Sequence, residues 1–158
     1  MAATTGNPAD MSWKPSVTCL AVASVKASST SGDANGAANT LDKDLRTRWS
    51  PSAGGEQWLL YDLGALREVS SASIVWFSRG KNATQYRIEL STDGKKYKVA
   101  DQGVLDGRGA NETLRSFLAQ SARYVRIAFV PMNKNGTEIT IEEVGIHGTG
   151  GQKVVSSK

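Results

Sequence analysis

Apolar residues in this chain fall in short alternating or β-branched runs, and no window carries a sustained amphipathic helix. The runs are Trp58-Leu59-Leu60-Tyr61, Ala72-Ser73-Ile74-Val75-Trp76-Phe77, Tyr86-Arg87-Ile88-Glu89-Leu90, Tyr124-Val125-Arg126-Ile127-Ala128-Phe129 and Ile139-Thr140-Ile141, and each predicts a strand. Between 86–91 and 97–100 sits Thr92-Asp93-Gly94-Lys95, whose Asp-Gly pair supplies the positive backbone angle of a tight hairpin turn. Many strands joined by loops rich in Gly, Ser, Asn and Asp predict an all-β fold, a sandwich of two antiparallel sheets. No internal repeat interrupts the pattern.

Strand parity places the loops. Consecutive connections in a meandering sandwich alternate between its two ends, so loops 50–57, 78–84, 102–112 and 131–137 should gather at one end. The connections 64–70, the Asp93-Gly94 turn and 120–122 should lie at the other. Pattern is absent at both termini: 1–15 reads as a leader, linker or cloning remnant without the basic-then-apolar order of a signal peptide, and 149–158 as a linker or tail. The folded unit is expected over 16–148.

At 158 residues and 39% hydrophobic content the chain suits one domain with a real core. No apolar run approaches the about 18 residues that span a bilayer. A lone cysteine, Cys19, cannot close an internal disulfide, so packing or a metal must hold the core. A net charge of +4 favours acidic partners without choosing among nucleic acid, anionic lipid and acidic polysaccharide.

Five ordered blocks go further. They are Ala38-Asn39-Thr40-Leu41-Asp42-Lys43-Asp44-Leu45-Arg46-Thr47-Arg48-Trp49, Trp58-Leu59-Leu60-Tyr61-Asp62-Leu63-Gly64, Tyr86 to Gly94, Ala122-Arg123-Tyr124-Val125-Arg126-Ile127, and Glu142-Glu143-Val144-Gly145-Ile146-His147-Gly148. In this order and spacing the chain resembles the coagulation factor V/VIII type C (discoidin) family, above all its bacterial branch, the family-32 carbohydrate-binding modules. The resemblance implies a jelly-roll-like β-sandwich of about eight strands, and a non-catalytic module that targets a polysaccharide-degrading enzyme, secreted or extracellular, to its glycan.

It also implies a structural calcium ion tying the loop at 39–47 to the last strand. The ligands carried over are the Asn39 carbonyl, the Asp42 carboxylate, the Asp44 carbonyl, Thr47 through carbonyl and hydroxyl, the Glu142 carbonyl and the Glu143 carboxylate. Calcium takes six to eight hard oxygens, and this set is of that kind. Lys43 departs from the family, which often has glycine there, and Asp44 adds a charge. An isolated Asp-x-Asp would read as a solvated turn; Glu142-Glu143 at the matching place favours the ion.

A sugar site pairs an aromatic face with planar polar side chains, and with Arg or Lys where a carboxylate must be matched. The loops expected at one end hold these types, so the candidate contacts are Trp76, Arg79, Lys81, Asn82, Arg108 and Asn133. Their bland readings are packing at a strand end for Trp76 and solvation for the rest. Basic residues outnumber carboxylates at this end, which favours a uronate polysaccharide such as alginate or pectin over a neutral galactoside. Trp49, Trp58, Tyr61, Tyr86 and Tyr124 read as core or core edge.

Rival functions are weaker. His147 is the single histidine and Cys19 has no partner for a dyad, while Glu56, Asp106 and Glu112 show no spacing that makes a carboxylate pair. Anionic-lipid adhesion in relatives uses exposed apolar spikes, for which Pro131-Met132 is the one candidate here. No basic run interleaved with aromatics points to nucleic acid. A galactoside lectin and a protein-adhesion domain remain open. Asn82-Ala83-Thr84, Asn111-Glu112-Thr113 and Asn135-Gly136-Thr137 fit the glycosylation triplet.

Overall fold

The computed structural model describes residues 17–78, 83–106, 112–132 and 139–149. Among these, seven strands form β1 (Val17–Cys19), β2 (Ser24–Ala27), β3 (Gln57–Ser78), β4 (Ala83–Ser91), β5 (Lys98–Asp106), β6 (Glu112–Pro131) and β7 (Ile139–Thr149). Two short 3₁₀ turns, Asp33–Asn35 and Ala37–Leu41, precede β3. Every pairing is antiparallel, in the order β1-β7-β3-β6-β4-β5 with β2 on the free side of β3.

Two long strands make the two layers. Residues 57–62 of β3 pair with 124–129 of β6 and with β2, whereas 71–75 pair with 112–116 of β6 and, on the other side, with β7. Register breaks between Asp62 and Arg67 and between Val69 and Ser71 bend the β3–β6 ribbon between these halves. The segments 64–70 and 120–122, expected as connecting loops, are therefore corners inside continuous strands, because a bulge bends the chain without ending the ladder. Running through these corners, the described residues make seven strands of the expected antiparallel sandwich.

Apolar alternation explains which face is inside. Leu59, Tyr61 and Leu63, then Ala72, Ile74 and Trp76 of β3 join Tyr86, Ile88 and Leu90 of β4, Val125, Ile127 and Phe129 of β6, and Ile141, Val144 and Ile146 of β7 in one core cluster. Each such large side chain contributes about 1.5–3 kcal/mol by leaving water. Trp49 is fully buried among them, its ring 6.0 Å from that of Phe129. Trp58 and Tyr124 are half-buried on the outer face, the core-edge position expected of them.

The predicted hairpin is β4–β5. Gly94 takes φ 79°, and the Asp93 carboxylate accepts the N–H groups of Lys95 (2.8 Å) and Lys96 (3.0 Å). At the open edge of the sandwich Arg115 of one layer holds Asp101 of the other, Nε to Oδ2 2.8 Å.

Registers Gln57↔Phe129, Thr84↔Pro131, Ala83↔Asp106, Val75↔Glu112 and Ser78↔Ile139 bring the strand ends flanking 50–56, 79–82, 107–111 and 133–138 to one end. Ser91↔Tyr124 and Asp62↔Tyr124 put the Asp93-Gly94 turn at the opposite end, as parity requires. No helix among the described residues is long and apolar enough to cross a membrane.

Candidate functional site: an oxygen-lined loop and a loop-bearing end

All six residues expected around a cation are described, and the fold closes the loop that holds four of them, 39–47, against β7. Trp49 pins the end of the loop to β7 through Trp49 N–H to Ile141 O (2.7 Å) and Ile141 N–H to Trp49 O (3.0 Å). Underneath, the buried Thr40 hydroxyl meets the Tyr61 hydroxyl at 2.8 Å, and burial drives the Tyr61 pKa upward. The Asn39 side-chain amide closes the loop across its own neck, donating to the carbonyls of Ala34 (2.8 Å) and Arg48 (2.9 Å).

Oxygens then converge on Thr47. Its hydroxyl lies 2.5 Å from Asp42 Oδ2, 3.0 Å from the Asp44 carbonyl and 3.5 Å from the Asn39 carbonyl. One hydroxyl proton can serve one of these acceptors at a time, while the Thr47 N–H donates to the Asp44 carbonyl at 3.1 Å and the Asp44 N–H to Asp42 Oδ1 at 2.9 Å. The Asp44 carboxylate turns outward onto Arg46, Nε to Oδ1 2.9 Å, so that residue offers its carbonyl and not its charge.

β7 contributes from the other side. Register passes from Val75↔Glu143 to Trp76↔Ile141, so Glu142 is the extra, unpaired residue of a bulge. Both Glu143 carboxylate oxygens accept the Lys43 N–H at 3.1 Å, joining residues 100 apart in sequence. Burial raises the Glu143 carboxyl above its usual range, the Lys43 N–H opposes this, and the nearby Asp42 and Asp44 charges add to it.

Among the described residues no three acidic, histidine or cysteine side chains form a metal group. The donors here are instead carbonyls and a hydroxyl with the Asp42 and Glu143 carboxylates. That oxygen chemistry fits a hard divalent cation of calcium type and not zinc or copper.

The expected sugar contacts fare differently. Arg79, Lys81, Asn82, Arg108 and Asn133 lie outside the described residues. Trp76, expected as a sugar contact, is only 4% exposed and its indole N–H donates to Thr113 Oγ1 at 3.2 Å. The inward parity of β3 at that position commits its ring to the core, which leaves no open face for stacking. Glu56, considered as one of a carboxylate pair, is bound to Arg87 at 2.8 Å.

The fold is an all-β, discoidin-like sandwich with the loop at 39–47 closed against its last strand. The family profile for the F5/8 type C domain matches residues 24–144, and the chain belongs to that family. Its fold is that of the family-32 carbohydrate-binding modules. The family-32 module of AlyQ, solved in complex with 4,5-unsaturated mannuronic acid, is 30% identical with a TM-score of 0.71, covering 82% of this chain and 97% of that one. A truncated AlyQ with its family-32 module and alginate lyase domains is 29% identical with a TM-score of 0.71, over 85% of this chain and 34% of the other. A pectin-binding module shares the fold at 24% identity and a TM-score of 0.70, over 82% of this chain and 91% of that one. Among curated proteins, the polysaccharide lyase 8 family protein HylA of Enterococcus faecalis is 34% identical over 58 residues, 37% of this chain and 4% of its own length. The chain thus spans a small fraction of that curated relative.

Proposed function

We propose that this chain is a non-catalytic carbohydrate-binding module that directs a secreted polysaccharide-degrading enzyme to an acidic, uronate-containing glycan, alginate before pectin, and that calcium braces it structurally. The observation that carries the reading is the likeness to the AlyQ module complexed with an unsaturated mannuronic acid, at 30% identity over nearly all of that module. The net charge of +4 agrees with an anionic ligand. Binding belongs to the loop-bearing end, where Arg79, Lys81, Asn82, Arg108 and Asn133 are the contacts to test. The Thr47-centred oxygens, the bulge at Glu142 and the Glu143 carboxylate support calcium. A neutral galactoside is the second reading, which the wider family allows.

Electrophoresis of the module through gels containing alginate, polygalacturonate, a neutral galactan or no polymer, with calcium and at two salt concentrations, tests it. Retardation by alginate that weakens in high salt is expected, with Arg79→Ala, Lys81→Ala and Arg108→Ala each reducing it. Retardation by galactan alone would leave a carbohydrate-binding module and remove its acidic specificity. Free migration in every gel would overturn the reading.

A further inference from the structure

The outer face of the β2-β3-β6-β4-β5 layer carries a cleft lined by strand residues, outside the loops themselves. Gln85 and Arg87 of β4 point outward, since Tyr86 and Ile88 between and beyond them are buried. Register places Val104 of β5 and Val130 of β6 on either side of Gln85, and Gln102 and Ala128 on either side of Arg87. With strands about 4.8 Å apart, each row is roughly 10 Å wide. Between these side chains lies a cleft of about 180 Å³ with Gly103 and Tyr86 at its floor. It is smaller than the about 300–1,000 Å³ of sites for drug-sized ligands, which suits one ring.

The floor is held in place. A Cβ at Gly103 would come within 3.0 Å of the Tyr86 hydroxyl, so glycine lets β5 close onto the tyrosine. That hydroxyl donates to Asp101 at 2.9 Å, and Arg115 holds Asp101 from the opposite layer. Burial, with the Asp101 carboxylate beside it, pushes the Tyr86 pKa up to about 12, so the hydroxyl stays protonated. These contacts fix the backbone of β4 and β5 beneath the cleft.

Charge chooses the occupant. Arg87 is shared between Glu56 (2.8 Å) and Glu89 (3.1 Å), and Glu89 is also held by Arg126 (2.7 Å), which stacks over Tyr97. Two guanidinium groups and two carboxylates cancel, so an anion gains no net attraction here. Exposed Gln85 and Gln102 amides offer both donors and acceptors to hydroxyls, and the exposed Val104 and half-buried Val130 offer apolar contact to ring C–H groups.

We propose that this cleft is a second carbohydrate-contact site, for a single uncharged pyranose ring, separate from the acidic-glycan site at the loop-bearing end. It lies one register step from the strand ends that carry those loops, at Thr84↔Leu105 and Thr84↔Pro131. The proposal does not rest on the ligand assigned to the loops.

The test is backbone-amide NMR on the full chain, titrated separately with galactotetraose, cellotetraose and a mannuronate tetramer at low and high salt. At least one neutral tetramer should move the Gly103 and Val104 resonances equally at both salt concentrations, and the uronate should not. Gln102→Ala should weaken that response about tenfold, the loss of roughly one net hydrogen bond. Val104→Glu should abolish it, with unchanged melting temperature showing that both variants fold. Stationary Gly103 and Val104 resonances with both neutral tetramers, or movement with the uronate, would overturn the proposal. Failure of the acidic-glycan reading appears elsewhere, as free migration in alginate gels, so the two can fail independently.

Discussion

Lys43 holds a backbone angle of φ 61°, the one positive φ at a non-glycine residue among the described positions. For an L-residue this left-handed conformation costs roughly 1–2 kcal/mol, and here it aims the Lys43 N–H at the Glu143 carboxylate. Glycine, which the resemblance leads one to expect at this place, takes such an angle without that steric cost. Lys43→Gly should therefore stabilise the protein by up to about 1 kcal/mol, less than the strain relieved because glycine loses more freedom on folding. Lys43→Val should destabilise it, since a β-branched side chain fits this angle worst. Urea unfolding of the three proteins measures both signs, and a destabilising glycine would show that the lysine side chain matters more than its backbone.

At the scale of elements, the β4–β5 hairpin is locked by one carboxylate. Asp93 is held well below the usual carboxylate range, to about 2, by the backbone N–H of Lys96, then that of Lys95, with the Ser91 hydroxyl adding to them. Because the folded pKa is depressed, the contribution is present above the unfolded value of about 3.9 and lost as pH falls through about 2. The melting temperature of the parent should thus exceed that of Asp93→Ala by most above pH 4, the gap narrowing between pH 4 and pH 2. A gap constant across that window would mean that the carboxylate's charge is not what stabilises the turn. This hairpin was legible because Asp-Gly dictates its own geometry. So were the strands themselves, from Leu59, Ile74, Ile88 and Ile127 at alternating positions. The merging of 57–62 with 67–78 was not, because a bulge preserves strand character on both sides and announces itself only as a change of parity, from odd Leu59, Tyr61 and Leu63 to even Ala72, Ile74 and Trp76. The same parity change, Ile141 inward and then Val144 and Ile146, marks the Glu142 bulge. Read that way, parity would also have turned Trp76 inward, to the core and away from a sugar. The outer-face cleft left no motif, since Gln85, Gln102 and Val104 are ordinary polar and β-branched strand residues whose meeting depends on register alone.

For the whole molecule, the loop at 39–47 and the Glu142 bulge make one closure between early and late chain. Trp49 and Ile141 exchange backbone hydrogen bonds, and Lys43 and Glu143 meet across 100 residues. An ion bound only in the folded state adds stability that grows with its concentration, about 2.7 kcal/mol when free ligand reaches one hundred times its dissociation constant. We therefore expect a calcium chelator to lower the melting temperature by several degrees and added Ca²⁺ to restore it. Mg²⁺ should restore little, because it demands a tighter octahedral shell than a set of loop carbonyls gives. Asp42→Asn should melt lower than the parent in calcium and respond less to chelator, while Asp44→Asn should keep the full response, because the Asp44 carboxylate is turned onto Arg46 and only its carbonyl faces Thr47. Equal loss of response in both variants would mean that both carboxylates reach the ion. A parent protein whose melting temperature ignores chelator and calcium alike would leave the Thr47 cluster as a hydrogen-bonded turn held by the protein's own groups.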